Sequence, residues 1–436
     1  MASVANLSKY ESYKESGFEW IGRIPAEWEI SKLGTCLFPV SIKNHSELPL
    51  LSITREHGVI ERDLEDQESN HNFIPDDLSG YKLLKKGQFG MNKMKAWQGS
   101  YGVSKYTGIV SPAYFVFVFV KQINPDFFNW AIRSKLYVSY FGCASDGVRI
   151  GQWDLSKTRM KGIPFILPNK QEQTLIANFL DKKTAQLDEV IAIKEKQISL
   201  LKERKQIIIQ KAVTQGLDPN VPMKDSGVYW IGLMPEHWKI SKLGSCLSPV
   251  SIKNCPNLPL LSITREQGVI ERDIEDQESN HNFIPDDLTG YKLIRKGQFG
   301  MNKMKAWQGS YGVSKFTGIV SPAYYVFNFT ISINPDFFNW AIRSKLYVSF
   351  FGSASDGVRI GQWDLSKSRM KNIPFLLPCE KEQILLANFL DEKTAQIDEV
   401  ISIKENQIEK LKEYKTTLIN SAVTGKIKIT PEMAEA

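Results

Sequence analysis

Residues 91–105 read MNKMKAWQGSYGVSK, and the same fifteen letters return unchanged at residues 301–315. Working outward from this pair, an offset of 210 aligns residues 14–214 with residues 224–424 without any insertion or deletion. All ten tryptophans form five pairs at this offset. The repeat is far longer than the 20–50 residues of a solenoid repeat, so each copy is a complete folding unit. We therefore expect two near-identical domains that recognise two copies of one target, or a single target with two-fold symmetry.

Composition and charge are those of an ordinary globular protein with a mild basic excess. The chain has 436 residues, of which 24% are charged, and its net charge is +7. This charge leans toward an anionic partner but does not identify one. The sequence contains no run of 18 apolar residues, and its polar N-terminus lacks an apolar signal core. We therefore expect no membrane span and a cytoplasmic protein.

Cysteine usage argues against a disulfide framework or a metal cage. Of the five cysteines, only Cys36 and Cys246 correspond between the two copies. A built site would need the same ligands in both halves, so we expect neither disulfides nor a structural metal.

Each copy divides into two parts that differ in amino-acid composition. Residues 14–168 and 224–378 are rich in aromatic residues, glycine and proline, and contain short apolar runs such as YFVFVFV at residues 114–120. Such runs are typical of buried strands, so we expect a mixed α and β domain here. Residues 170–213, by contrast, contain neither proline nor glycine and are dominated by Lys, Glu, Gln, Ile and Leu. This composition favours a helix.

A heptad pattern predicts that the two helical segments pair with each other. In each segment, residues seven apart at two adjoining positions form an apolar stripe that two lysines interrupt. A helix of about 40 residues would be roughly 60 Å long, which favours a helix pair over a surface helix on a globular domain. The predicted contact residues are Leu180, Leu187, Ile191, Ile198, Leu201 and Ile208 in the first segment and Leu390, Ile397, Ile401, Ile408, Leu411 and Leu418 in the second.

The reach of the chain predicts the direction of the second helix. Residues 214–223 alone join the first helix to the second domain, and even fully extended they cover at most ~35 Å. The second helix must therefore run back along the first. We predict an α+β fold in which two mixed α/β recognition domains are separated by two long antiparallel coiled-coil-like helices, with a pseudo-two-fold internal repeat. The predicted boundaries are residues 1–168 for the first domain, 169–215 for the first helical region, 216–378 for the second domain, 379–426 for the second helical region and 427–436 for a C-terminal tail.

The sequence carries no recognisable catalytic or cofactor motif. It lacks a Gly-x-x-x-x-Gly-Lys-Ser/Thr phosphate loop, a Gly-x-Gly-x-x-Gly motif and a Gly-x-Ser-x-Gly motif. The run SPAY at residues 111–114 superficially resembles the Asn-Pro-Pro-Tyr motif of amino-methyltransferases, but we interpret it as a turn into a strand. His71 and His281 form the only histidine pair, and we expect them to be structural. We therefore expect no catalytic residue and no cofactor.

Basic and polar residues in several short segments are candidates for contacts with phosphates and base edges. Lysine ammonium groups suit phosphates, whereas amide and guanidinium groups can bond two acceptors on one base. An ordinary glycine-rich connection with solvated lysines would give the same pattern. The candidates are Lys43, Asn44, Arg55, Lys93, Lys95, Gln98, Ser104, Lys105, Arg149 and Gln152, with their copies Lys253, Asn254, Arg265, Lys303, Lys305, Gln308, Ser314, Lys315, Arg359 and Gln362.

Three kinds of string carry a resemblance to a known family. They are the openings SGFEWIGRIPAEW at residues 16–28 and SGVYWIGLMPEHW at residues 226–238, the central NKMKAWQGSYGVSKYTGIVSPAY at residues 92–114, and the exit IPFILPNKQEQTLIANFLDKKTAQLDEV from Ile163, followed by KAVTQG at residues 211–216. With these strings the chain resembles the DNA-specificity subunits of type I restriction-modification systems over nearly its whole length.

The resemblance implies target-recognition domains that alternate with conserved helical regions. It implies double-stranded DNA as the ligand and no catalytic site in this subunit. It also implies two methyltransferase (modification) subunits that clasp the helices, and restriction subunits that join them. Family members usually carry two dissimilar recognition domains and read an asymmetric bipartite site, whereas the two domains here are nearly the same. This departure predicts a palindromic bipartite site.

Apolar residues that lie off the paired stripe predict a partner surface on the helices, because an exposed apolar row is usually an interface. These residues are Ile176, Phe179, Val190, Ile193, Leu200 and Ile403. Two other function classes stay open. If the chain showed no salt-sensitive binding of DNA, it would be a coiled-coil scaffold whose end domains bind protein. If the chain alone acted with S-adenosylmethionine or ATP, it would be an enzyme.

Overall fold

The structure is a computed structural model that describes residues 8–63, 74–149, 152–272, 284–359 and 362–435. The chain divides into two compact units, the first formed by Met1–Glu195 with Asn406–Ala436 and the second by Lys196–Glu405. Each unit combines one globular domain with part of each of two long helices. The boundaries predicted from the sequence between domains and helical regions therefore stay predictions, because the compact units cut across both helices.

The globular part of the first unit consists of short antiparallel strands and short helices. Its strands are β1 (Tyr13–Glu15), β2 (Arg23–Pro25), β3 (Glu29–Lys32), β4 (Leu37–Val40), β5 (Leu51–Thr54), β6 (Gly58–Glu61), β7 (Lys82–Leu84), β8 (Phe89–Asn92), β9 (Tyr101–Val103), β10 (Gly108–Val110), β11 (Tyr114–Phe119), β12 (Asp146–Arg149), β13 (Gln152–Asp154) and β14 (Pro164–Leu167). Its helices are α1 (Leu33–Cys36), α2 (Pro125–Ile132), α3 (Lys135–Cys143) and α4 (Lys157–Gly162), with a 3-10 turn at Ala96–Gln98. The central sheet has the order β4-β11-β8-β9, and the other strands form two-stranded ribbons.

The second unit repeats this architecture. Its strands are β15 (Met223–Asp225), β16 (Leu233–Pro235), β17 (Lys239–Lys242), β18 (Leu247–Val250), β19 (Leu261–Thr264), β20 (Gly268–Glu271), β21 (Lys292–Ile294), β22 (Phe299–Asn302), β23 (Tyr311–Val313), β24 (Gly318–Val320), β25 (Tyr324–Phe329), β26 (Ser355–Arg359), β27 (Gln362–Leu365) and β28 (Pro374–Leu377). Its helices are α6 (Leu243–Cys246), α7 (Pro335–Ile342), α8 (Lys345–Ser353) and α9 (Lys367–Lys371), with a 3-10 turn at Lys303–Gln308. The central sheet has the equivalent order β18-β25-β22-β23. The sequence repeat is therefore a repeat of the fold, and the predicted mixed α and β character is confirmed.

Local sequence explains where the short helices begin. The Asn124 side chain accepts hydrogen bonds from the backbone N–H groups of Asp126 and Phe127, at 2.9 and 3.1 Å, immediately before Pro125 opens α2. An asparagine cap followed by proline is a strong start signal, because it satisfies backbone donors that have no partner inside the helix. The apolar face of α2 then packs into the core through Phe128 and Ile132, both fully buried.

Two long helices follow the globular domains, α10 (Glu380–Val423) after the second and α5 (Lys170–Gln215) after the first. The first turns of α5 are bonded to their own domain, since Trp28 Nε1 donates to Glu172 Oε2 at 3.0 Å and Trp130 Nε1 donates to Asp181 Oδ1 at 2.7 Å. The second unit repeats these bonds at Trp238–Glu382 (2.9 Å) and Trp340–Asp391 (2.8 Å). Each helix is therefore anchored to a domain by its N-terminal turns.

The core of each unit includes residues from both long helices. In the first unit, Leu180 near the start of α5 shares a hydrophobic core with Leu418 and Ala422 near the end of α10. In the second unit, Leu390 near the start of α10 shares a core with Ile209 and Val213 near the end of α5. In each unit, therefore, the start of one helix packs beside the end of the other.

Residues 427–436, which were predicted as a C-terminal tail, contribute two side chains to the core of the first unit. Ile427 and Ile429 are buried in that core, and the Lys428 backbone N–H donates to the Ser8 carbonyl at 2.7 Å. The chain then forms the short helix α11 (Pro431–Glu435). In the first unit this segment after α10 packs against the domain. In the second unit the segment after α5 instead continues into β15.

Within each unit the two long helices run antiparallel. In the first unit Lys415 bonds Asp188 at 2.6 Å and Lys194 bonds Gln407 at 2.7 Å. The second unit has the equivalent pairs Lys205–Asp398 (2.5 Å) and Lys404–Gln197 (2.7 Å). These are the four lysines that interrupt the apolar stripes. Pairs this exposed contribute roughly 0–1 kcal/mol each, so their main effect is on register and orientation.

The residues predicted to line the helix pair are covered. Leu180, Ile191, Ile198, Leu390, Ile401, Ile408, Leu411 and Leu418 are buried, and Leu187, Leu201, Ile208 and Ile397 are half-buried. None of the helices in the described part of the chain combines the length and apolar character needed to cross a membrane.

Two residues predicted to face a partner are not exposed. Ile176 is 1% and Phe179 is 4% exposed, and both belong to the first hydrophobic core. Their exposure was wrongly predicted because the first turns of α5 dock against the domain, so these turns bury a wider face than the heptad stripe. By contrast, Val190, Ile193, Leu200 and Ile403 are between 41% and 51% exposed.

The anchoring of α5 can be tested at Glu172. Replacing Glu172 with Ala leaves the buried Trp28 indole N–H without its acceptor, which should destabilise the first unit by roughly 1–3 kcal/mol. Glu172→Gln keeps an acceptor oxygen and should cost less. Glu189→Ala, at an exposed position of the same helix, should leave the unfolding midpoint nearly unchanged. Urea unfolding followed by circular dichroism measures the three variants, and equal effects at Glu172 and Glu189 would contradict the anchoring role.

Candidate nucleic-acid interface

Four lysines of the second unit form a cluster around one strand, and we call Lys253, Lys292, Lys303 and Lys367 the lysine cluster. Lys292 lies in β21, and its Nζ donates to the Tyr324 carbonyl oxygen at 2.6 Å. The same Nζ lies 5.8 Å from the centre of the Tyr325 ring, and Lys367 Nζ lies 4.8 Å from it. The ring face attracts these ammonium groups, and the positive charge that they concentrate favours an anionic ligand.

The electrostatics of the cluster show a local excess of positive charge. Burial lowers the pKa of Lys292 below its ordinary value, and the charges of Lys253, Lys367 and Lys303 lower it further. Among the described residues, each neighbouring charge that shifts this pKa is that of another lysine. A bound anion would relieve this repulsion and favour the protonated form again.

Different elements bring these lysines together. Lys253 lies in the connection between β18 and β19, next to Asn254, which has the left-handed φ of 64°. The Asn254 N–H donates to the Thr289 carbonyl at 3.0 Å, which holds this connection against the loop before β21. Asparagine tolerates the left-handed region better than most residues, so the turn forms without glycine.

The other two lysines begin short helical elements. Lys303 opens the 3-10 turn Lys303–Gln308, where the Asn302 side chain accepts a hydrogen bond from the Met304 N–H at 3.2 Å. This turn ends at Gly309, whose φ is 89° and whose added Cβ would lie 3.2 Å from Val348. A glycine is therefore required where the turn packs on α8. Lys367 opens α9 after Ser366, whose side chain caps that helix.

The first unit has the same arrangement where it is described. Lys82 in β7 donates to the Tyr114 carbonyl oxygen at 2.7 Å and lies 6.0 Å from the centre of the Phe115 ring. Lys43 and Lys93 occupy the positions of Lys253 and Lys303. The side chain of Lys157, which corresponds to Lys367, lies outside what the structure describes.

The sequence identified half of this cluster. Lys253 and Lys303 were predicted as contacts, and the structure adds Lys292 and Lys367. Their local sequences, YKL and LSK, give no signal that separates them from solvated lysines. Since both residues are lysine in the two copies, comparison of the copies could have marked them.

Arg55 and Arg265 are exposed, but their guanidinium groups are already paired. Arg55 Nε donates to the neighbouring Glu56 carboxylate at 2.7 Å, and this bond is the main cause of the lowered pKa of Glu56. The turn itself is held by Arg133, which donates to the carbonyl oxygens of Arg55 and Glu56 at 2.9 and 2.8 Å. Arg265 and Glu266 repeat the pair at 2.7 Å.

Gln308 and Arg265 border a groove between the second domain and the helices of the same unit. This groove also contains cations, but most have carboxylate partners. Lys205 pairs with Asp398 at 2.5 Å, and Lys202 pairs with Glu405 at 3.7 Å. Because its charges are nearly balanced, the groove attracts an anion less strongly than the lysine cluster does.

The remaining predicted contacts fall into three groups. Ser104 and Ser314 are buried, and the Ser104 hydroxyl donates to the Tyr106 carbonyl at 2.7 Å. This hydroxyl is used inside the domain, which argues against a contact with DNA. The exposed or half-buried residues are Asn44, Lys95, Gln98, Lys105, Lys305 and Lys315. Outside the described residues lie His71 and His281, together with the side chains of Arg149, Gln152, Arg359 and Gln362.

Comparisons with known proteins decide the family resemblance. No protein-family model matches the chain. Over 446 residues the chain is 23% identical to a protein of Methanocaldococcus jannaschii that is inferred to be the MjaX specificity subunit of a type I restriction enzyme, and the match covers 96% of this chain and 98% of that protein. The resemblance to type I specificity subunits is confirmed.

Two solved structures share the fold of this chain. One comes from work on complex assembly and conformational transition of the type I R-M system, with a TM-score of 0.65 and 13% identity over 92% of this chain and 98% of that chain. The other is the HsdS subunit from Thermoanaerobacter tengcongensis, with a TM-score of 0.54 and 14% identity over 95% of this chain and 100% of that chain. At these identities the likeness establishes the fold.

Removing charge from the lysine cluster should weaken DNA binding without regard to sequence. The double variant Lys253→Ala/Lys367→Ala should bind every duplex less tightly, and the slope of log K against log salt should fall by roughly one for each lysine–phosphate pair that the substitutions remove. Filter binding or fluorescence anisotropy at several salt concentrations measures both quantities.

The double variant Lys196→Ala/Lys410→Ala removes the same two charges from exposed lysines on α5 and α10, and it serves as the matched control for net charge. An equal loss of affinity in this control would mean that affinity follows overall charge rather than the cluster. A loss confined to one DNA sequence would mean that the lysines read bases.

Proposed function

We propose that the protein is the DNA-reading subunit of a type I restriction-modification assembly and binds a bipartite, palindromic site in double-stranded DNA. The observation that carries this proposal is the lysine cluster, in which Lys292 and Lys367 approach one aromatic ring and further lysines lie near Lys292, on a domain that the chain contains twice. The confirmed resemblance to type I specificity subunits supports DNA as its ligand. The comparisons give no support to a coiled-coil scaffold that binds only protein.

The pattern of differences between the two copies supports a shared target. Residues 86–114 and 296–324 differ only at Tyr106, which is Phe316 in the second copy. Residues 15–29 and 225–239, by contrast, differ at eight of fifteen positions. The unchanged stretch includes exposed residues such as Lys95 and Lys105, where the fold alone would tolerate other side chains. We infer that both copies hold the same surface against the same base sequence.

Division of labour within each domain follows from side-chain chemistry. Ammonium groups of the lysine cluster hold phosphates and set the position of the domain on the duplex. Amide and guanidinium groups, with Gln98, Arg149 and Gln152 as candidates, read base edges. In this proposal the subunit itself performs no chemistry. Methyltransferase and restriction subunits supply it, and all of them act in the cytoplasm, where the DNA is.

A palindromic site is the most direct consequence of two matching readers. If the two matching domains bind opposite strands in the same way, the two half-sites are inverted copies of each other, separated by unread base pairs. Sequencing of methylated bases in the genome that encodes the chain, or selection of duplexes by the purified chain, gives the motif. Two unrelated half-sites would show that the few differences between the copies redirect specificity.

The exposed apolar residues of the long helices should carry contacts with methyltransferase subunits. Ile193 and Ile403 are 51% and 50% exposed, and burying such side chains against a partner stabilises the complex. The double variant Ile193→Asp/Ile403→Asp should lose co-purification with the methyltransferase subunit while its unfolding midpoint stays unchanged.

A matched pair of substitutions separates contact from charge. Ala192→Asp/Ser402→Asp adds the same charges at exposed neighbouring positions of the same helices, and it should weaken the complex less. Unchanged co-purification of the isoleucine variant would refute this assignment of the interface.

A further inference from the structure

Tyr325 distinguishes the lysine cluster from its counterpart in the first domain. The Tyr325 ring in β25 lies 5.8 Å from Lys292 Nζ and 4.8 Å from Lys367 Nζ. In the first domain Phe115 occupies this position, and its ring lies 6.0 Å from Lys82 Nζ. The lysines themselves are the same in both copies, as Lys43, Lys82, Lys93 and Lys157 in the first and Lys253, Lys292, Lys303 and Lys367 in the second. The phenol hydroxyl is therefore the chemical difference between the two clusters.

The fold does not use this hydroxyl. Among the described residues, the Tyr325 hydroxyl has no hydrogen-bond partner, and the side chain is half-buried. The Tyr325 ring packs edge-on against Phe327 at 6.2 Å and 66°, and the Phe115 ring packs in the same way against Phe117 at 6.2 Å and 70°. Because the ring packs equally with and without the hydroxyl, the strand does not need the oxygen to form.

We infer that the Tyr325 hydroxyl donates a hydrogen bond to a DNA phosphate, a contact that the first domain cannot form. The inference rests on the proposed function. Four ammonium groups draw phosphates toward this surface, and tyrosine hydroxyls are among the groups that bond phosphate oxygens. This contact adds affinity but reads no base. The second domain therefore holds its half-site more tightly than the first, although both read the same sequence.

A neutral donor has a signature that separates it from the lysines around it. A lysine contact releases counterions and raises the salt dependence of binding, whereas a hydroxyl contact does not. Removal of the hydroxyl should therefore weaken binding at every salt concentration by the same factor. It should also leave protein stability unchanged, since no internal hydrogen bond is broken.

The test exchanges the two residues in the full-length chain. Tyr325→Phe should weaken binding about 2- to 10-fold, the size expected for one hydrogen bond. Phe115→Tyr should strengthen it by a similar factor, and the exchanged double variant should return to within about twofold of the unmodified chain. Affinity is measured at several salt concentrations on duplexes with and without the recognised site, and the thermal midpoint is measured beside it.

Tyr229→Phe is the matched control, because Tyr229 lies in the same domain and is 94% exposed. It should bind like the unmodified chain. Unchanged affinity of Tyr325→Phe would overturn the inference, and so would a loss of affinity confined to duplexes that contain the recognised site, which would indicate a base contact. If the unmodified chain bound no duplex at all, the proposed function would fail as well.

Discussion

The bond between a buried tryptophan and a carboxylate on the first turn of each long helix is the constraint on which the rest of each unit depends. Trp28 and Glu172 are 144 residues apart in the chain, yet their 3.0 Å bond joins the domain to the start of α5. Glu172 also lies in the first turn of this helix, where a negative charge is favoured by the helix dipole. Because its start is fixed on the domain, the rest of the helix is available to pack against the other long helix and to contact partners. The same bond recurs at Trp238 and Glu382, so both copies are built on it.

Lysines have two kinds of environment in this molecule, and their neighbours decide which one applies. On the helices, Lys205 and Lys415 reach carboxylates of the other helix and help to fix its direction. Along the groove of the second unit, two of the three lysines, Lys202 and Lys205, pair with carboxylates, which lowers the net charge there. In the lysine cluster, the charges of described residues that act on Lys292 are those of other lysines. Positive charge is thus neutralised where the long helices pack together and concentrated in the lysine cluster.

Much of this architecture was predictable because the sequence contains a long internal repeat and a heptad repeat in each helical segment. The 210-residue offset predicted two near-identical domains, and the heptad stripe predicted a helix pair. The short connection between the first helix and the second domain predicted that the helices run antiparallel. The sequence could not show that Ile176 and Phe179 are buried, because docking of α5 on its domain depends on residues far away in the chain. The local sequences around Lys292 and Lys367 also could not separate these residues from solvated lysines, since they come close to each other only when β21 and α9 come together. The sequence also could not show that the Ser104 hydroxyl, a predicted DNA contact, forms a hydrogen bond inside a turn.

Divergence between the two copies separates the constraints of folding from those of binding. In the first unit Trp20 stacks on Tyr140 with ring centres 4.2 Å apart, whereas Trp230 lies 6.3 Å from Phe350 and is 59% exposed. The hairpin that carries these tryptophans has therefore changed both its residues and its packing while the domain kept its fold. By contrast, all four lysines of the lysine cluster are also lysines at the corresponding positions of the first copy. The substitutions between the copies are therefore concentrated in this hairpin and not in the lysines of the cluster. The extra hydroxyl of Tyr325 differs from the substitutions in the hairpin, because it adds a donor to the cluster and removes no charge.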